Sequence, residues 1–317
     1  MQTPAPHSPT ARRGAAATVR ALVPVLALVS VLALGLCAAL PARAQDAAAL
    51  HAKQESLRDK LADNPFHRPL FLESTQTSGD LRGDVYAVVD QPFGVVGPAL
   101  QTMNQWCDLL ILHLNVKNCT AGKPPSEVLT LVVGRKFDQP LDEGYKIEFR
   151  YAVPASTADY LRVQMAADSG PLSTSNYRLA LEAVPLDANS SFVHMSYAYS
   201  YGVAARIATS TYLSTVGRDK VGFSVTGKTD DGKPIFINGV RGVLERNTMR
   251  YYLAIETYLD ALSAPAAEQL EKRLHDWFAA TERHAQQLHE MSSDEYLAMK
   301  RNEVKRQQAT DPAAKAN

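Results

Sequence analysis

The chain has 317 residues, with 33 Lys+Arg against 33 Asp+Glu and a net charge of +0. Arg12, Arg13, Arg20 and Arg43 all precede residue 45 and no acidic residue does, so removal of that stretch leaves 29 basic against 33 acidic side chains, about −4. That balance argues against a nucleic-acid binder, which needs a basic surface to neutralise phosphates.

The first 44 residues read as a secretory signal. A basic head is followed by an apolar run over 21–40 and then by Ala42-Arg43-Ala44, a small-x-small cleavage site. The expectation is a periplasmic or secreted protein cut after Ala44. The rival is an uncleaved N-terminal anchor, because the run is about long enough to span a bilayer. Cys37 leaves with the signal. Cys107 and Cys119 remain and are expected to form one local disulfide in an oxidising compartment.

Residues 45–82 form an N-terminal extension that opens with a polar helix over 47–62, expected to attach only loosely. Residues 84–90 alternate as a strand, Gln91-Pro92 turns the chain, and 93–113 holds two short helical pieces with Leu100, Met103, Trp106, Leu109 and Leu110 at helical spacing. A run of strands follows. Leu129, Leu131 and Val133 alternate first. Tyr145, Ile147, Phe149 and Tyr151 then alternate with Lys146, Glu148 and Arg150. Further strands carry Leu161, Val163 and Met165, then Tyr177, Leu179 and Leu181, then Val193, Met195, Tyr197 and Tyr199. Turn-rich clusters separate them, which predicts an antiparallel meander with one buried face.

Residues 203–213 read as a short helix, and 221–225 with 235–243 as a hairpin. A long amphipathic helix over 246–262 carries a stripe of Tyr251, Ile255, Tyr258 and Leu262. Arg246, Arg250, Thr257 and Asp260 are expected to face away. Helices after Ser263 and from Ser292 form a C-terminal extension over 263–317, with an unstructured tail beyond Gln308. Ser292 and Glu295 make a capping box.

The order of strand, two lid helices, antiparallel strands and long helix resembles the helix-grip fold of the START-like (SRPBCC) superfamily over 83–262. Its most recognisable piece is the run over 84–96, Asp-Val-Tyr-Ala-Val-Val-Asp-Gln-Pro-Phe-Gly-Val-Val, a strand entering a Pro-Phe turn. The segment 203–218 and the helices after 262 depart from the pattern. The fold class expected is α+β, a curved antiparallel sheet wrapped on a long C-terminal helix, with extra terminal helices.

The resemblance implies a cavity between sheet and helix for an apolar small molecule or lipid. Its lining is expected to come from Ile147, Phe149, Leu179, Leu181, Tyr197, Tyr199, Tyr251, Ile255 and Tyr258, with Trp106 and Leu110 as a lid. A solidly packed core is the alternative. No catalytic motif, metal cage or cofactor signature occurs. Two other functions stand beside the carrier. One is a START-like cyclase or hydrolase using His113 or His194 as proton carrier. The other is an envelope interaction protein, meeting a partner protein or membrane surface through Trp277 and Phe278.

Overall fold

The structure is a computed structural model that describes residues 42–202, 207, 211 and 220–310. The signal segment before residue 42, most of the helix expected over 203–213, and the tail beyond residue 310 lie outside the described residues.

Helices α1 (Ala42–Ser56) and α2 (Arg58–Ala62) lead into β1 (Leu70–Gln76) and β2 (Asp80–Val89). The lid helices α3 (Phe93–Ala99) and α4 (Met103–Leu110) come next. Strands β3 (Val116–Ala121), β4 (Val128–Val133), β5 (Tyr145–Ser156), β6 (Leu161–Ser169), β7 (Thr174–Pro185) and β8 (Ser191–Tyr201) follow. After a hairpin of β9 (Val225–Lys228) and β10 (Pro234–Phe236) come α5 (Gly239–Ala261), α6 (Ala266–Glu282), α7 (Ala285–Leu288) and α8 (Ser293–Thr310). The eight main strands form one antiparallel sheet in the order β1-β2-β8-β7-β6-β5-β4-β3. The meander therefore returns to pair with β2, and α5 lies across the sheet's inner face.

Several expectations are corrected. The N-terminal helices are not loosely attached: Ala47, Leu50, Leu57 and Leu61 pack on Tyr86, Ala155, Tyr160, Val184 and Phe192. This part of the sheet thus buries both faces. β1 and β3 were not read from the sequence, because β3 is polar at buried positions such as Lys117 and Asn118. The hairpin is shorter than expected, and α5 begins seven residues before 246, at Gly239, whose φ is +67°. Arg246, Arg250 and Thr257 do not face solvent, because the C-terminal helices cover that side and bury all three. The capping box of α8 is present, with Glu295 Oε2 accepting the Ser292 N–H at 2.9 Å and the Glu295 N–H donating to Ser292 Oγ at 3.4 Å.

One close approach sets the helix on the sheet. A β-carbon at Gly83 in β2 would lie 2.3 Å from Thr248 Oγ1 of α5, so only glycine lets the two surfaces meet there. Further along, Glu245 is fully buried and its carboxylate accepts the N–H groups of Phe223 (2.7 Å) and Ser224 (2.8 Å), fastening the preceding loop to α5.

Candidate ligand cavity

The helix rests on the β1, β2 and β8 side of the sheet and stands off from β4 to β7. A cavity of about 610 Å³ fills the space between. Strand alternation points Leu131, Ile147, Phe149, Met165 and Leu179 into it from four adjacent strands. Tyr177, Tyr197, Tyr199 and Tyr251 form an aromatic layer on one side. The Tyr197 and Tyr251 ring centroids are 5.1 Å apart, and those of Tyr177 and Tyr199 are 5.3 Å apart. Burial drives the Tyr197 and Tyr251 hydroxyls above the usual phenol range, so both stay protonated. The mouth lies between the β4–β5 and β6–β7 turns, where Arg135, Glu143, Tyr145 and Leu172 line the opening and Leu172 is 65 % exposed.

The far end is polar. His113, Asn115 and Asn247 lie in the wall. His113 Nδ1 accepts the Asn115 backbone N–H at 3.1 Å, and its ring stacks on Tyr251 at 4.6 Å. Burial, then the nearby charges of Arg250, Lys300 and Lys136, hold its pKa well below the ordinary imidazole value. The Asn247 side chain stands beside the ring and favours the charged form slightly, without meeting hydrogen-bond geometry at Nε2.

This end is braced from behind by α8. Lys300 Nζ donates to the carbonyls of His113 (2.7 Å) and Val116 (2.9 Å), and Lys117 Nζ to that of Leu114 (3.0 Å). Both lysines and Glu303 are completely buried, and the single carboxylate pairs with each at 2.9 and 2.7 Å. Tyr296 Oη donates to Leu112 O at 3.1 Å. The Cys107–Cys119 disulfide joins α4 to β3, with Cα atoms 5.1 Å apart, and encloses His113 in its loop.

Of the lining residues expected from sequence, Ile147, Phe149, Leu179, Tyr197, Tyr199, Tyr251 and Leu110 surround this cavity. Leu181, Ile255, Tyr258 and Trp106 do not. Leu181 and Ile255 are fully buried in the packed part of the core. Tyr258 lies under the Arg273 guanidinium at 5.3 Å, and Trp106 donates its Nε1–H to Leu100 O at 2.9 Å within the lid. Asn247 and Tyr177 were missed. The signal for each was the spacing, since Asn247 precedes Tyr251 by one helical step of four and Tyr177 precedes Leu179 by two in a strand.

The other proton-carrier candidate lies elsewhere. His194 is on the outer sheet face beneath the N-terminal helices, with Nε2 2.8 Å from Asp84 and Nδ1 3.1 Å from Glu182. Tyr86 stacks on it at 4.3 Å. Burial opposes its protonation, but the two carboxylates prevail and raise its pKa. The docking helix is also corrected. Trp277 is 1 % exposed and donates Nε1–H to Arg250 O at 3.2 Å, so it joins the core rather than offering a surface.

A long helix held against a curved antiparallel sheet, with lid helices and a cavity between them, is a helix-grip arrangement. Solved structures similar to this chain include human StAR-related lipid transfer protein 5, at 9 % identity and a TM-score of 0.35, covering 70 % of this chain and 98 % of that one. A START superfamily protein from Mycobacterium smegmatis matches at 12 % identity and 0.29, covering 43 % and 92 %. Zhui aromatase/cyclase from a Streptomyces species matches at 10 % and 0.30, covering 68 % and 96 %. No family model matches the chain, and no curated protein matches it.

Proposed function

We propose that this protein binds or carries an apolar small molecule or lipid in the cavity, and does so outside the cytoplasm. The observation that carries the reading is the cavity itself, about 610 Å³ in volume and walled by aliphatic and tyrosine side chains. Space of that size and lining suits a small hydrophobic ligand. Its retention in an otherwise close-packed interior forgoes dispersion contacts that larger side chains would make. The N-terminal pattern of basic head, apolar run and Ala42-Arg43-Ala44 supports export, and the Cys107–Cys119 bridge suits an oxidising compartment.

The test is native mass spectrometry, with solvent extraction, of the protein purified from the cells that make it. A co-purifying apolar molecule released on denaturation is the expected result, together with weakened retention of that molecule in Leu179→Trp, whose indole projects into the cavity from β7. A ligand-free protein that takes up no N-phenyl-1-naphthylamine sinks the reading.

A further inference from the structure

The polar end of the cavity holds a hydrogen-bond donor that the protein does not use. His113 is 2 % exposed, and its Nε2 has no hydrogen-bond partner among the described residues. Because Nδ1 accepts the Asn115 backbone N–H, a neutral ring carries its proton on Nε2. Burial and the cations around the site keep the ring neutral. Stacking on Tyr251 and the grip of Lys300 on the His113 carbonyl hold the residue in place, so the donor does not escape by rotation of the segment. A buried N–H without an acceptor is uncommon in native proteins and calls for an explanation. In this tautomer the nitrogen left free has no lone pair, which also removes the general-base role expected for a proton carrier.

We propose that His113 Nε2–H anchors an oxygen atom of the ligand, so that the cavity takes an amphipathic molecule with an apolar body and a carbonyl or carboxylate oxygen at its leading end. The proposal rests on the reading of the cavity as a ligand site. The body lies among Leu131, Ile147, Phe149 and Leu179, and the oxygen reaches the His113 end beside Asn247. The charges of Arg250, Lys300 and Lys136 near the ring favour an electron-rich head and disfavour an ammonium. A plain hydrocarbon of the same length would fill the apolar part and leave Nε2–H unmet.

Displacement of N-phenyl-1-naphthylamine from the full chain tests this, with dodecan-2-one, dodecanoate, dodecylamine and dodecane as competitors. The ketone, the carboxylate or both are expected to displace the probe about tenfold more tightly than dodecane, as one net hydrogen bond in a dry site allows. Comparison of ketone with carboxylate tells which oxygen is preferred. Dodecylamine is expected to be weakest. His113→Phe keeps a ring on Tyr251 and abolishes the preference; His113→Gln carries an N–H to the Nε2 position and retains it. In the wild-type protein the His113 Nε2 nitrogen resonance moves with dodecan-2-one and not with dodecane, a readout that survives if the Phe variant does not fold. Uptake of the probe with equal displacement by ketone and hydrocarbon overturns the His113 assignment alone. No uptake by the wild type overturns the cavity reading and this inference together.

Discussion

Gly83→Ala tests where the gripping helix sits. The added β-carbon would stand 2.3 Å from Thr248 Oγ1, 3.1 Å from its Cβ and 3.2 Å from its Cγ2. Carbon atoms in ordinary contact are about 3.5–4.0 Å apart. Gly83 does not have the positive φ that would forbid alanine, so the backbone change alone stabilises by about 0.4–1 kcal/mol. Relief of the clash must shift α5 or β2, and overpacking of this kind costs about 1–3 kcal/mol. The net expectation is a loss of about 1–2 kcal/mol, or roughly 2–8 °C in Tm for a folded region of this size. Thr248→Ala removes the closest atom, Oγ1, together with Cγ2, and keeps Cβ, but it also removes the hydrogen bond from Thr248 Oγ1 to Leu244 O at 2.9 Å. It should therefore cost about 1 kcal/mol by itself. In the double variant the alanine methyl enters the vacated space, giving a favourable coupling of about 1–2 kcal/mol. Urea unfolding of the four proteins, followed by circular dichroism, measures this cycle. Additivity within about 0.5 kcal/mol would mean that the helix does not rest on β2 at this point. The account of why space opens over β4 to β7 would then fail with it.

Four other outcomes are expected. Glu303→Gln leaves Lys117 and Lys300 buried without their shared carboxylate, and stability should fall by about 3–5 kcal/mol in chemical denaturation; a change below about 0.5 kcal/mol refutes the bracing role. Burial lowers the Lys300 pKa to about 8 while the unfolded lysine titrates near ~10.4, so between those values the unfolded state holds the extra proton; this site's contribution therefore raises stability with pH across that window, and a wild-type profile that shows no more such rise than Lys300→Met contradicts it. His194 has the opposite sign. Its raised pKa makes its contribution complete below the ordinary imidazole value and lost as pH rises through the folded value, so deprotonation should speed hydrogen exchange in α1; exchange that is unchanged across the His194 titration, followed by NMR, refutes the link. Finally, Cys107→Ala/Cys119→Ala opens a loop of 12 residues and should cost about 2–4 kcal/mol, with faster exchange confined first to the segment around His113; an unchanged melting curve counts against it.

The legible parts of the fold were those governed by one periodicity at a time. Strands β4 to β8 alternate cleanly, as in Ile147, Phe149 and Tyr151, and each was placed within a few residues of its true ends. β3 was invisible because its buried Lys117 and Asn118 look like loop residues until α8, more than a hundred and eighty positions away, supplies Glu303 and Gln307. Arg246 and Arg250 misled for the same reason. Charge signals solvent only when no partner is buried with it, and Arg250 pairs with Glu290 at 2.7 Å. In the cavity, the aliphatic and tyrosine lining followed from strand and helix faces. The polar end did not, because His113 and Asn115 sit on an irregular segment whose direction no repeat predicts.

The Lys117–Glu303–Lys300 staple has a practical corollary for anyone shortening this chain. A fragment ending with the gripping helix would strip the Lys300 ammonium from the carbonyls of His113 and Val116, leave Lys117 at Leu114 without its Glu303 carboxylate, and uncover Trp277's neighbours in the interior. What such a fragment retained would be a cavity with its back wall unfastened, and any measurement on it would describe that damage rather than the intact protein.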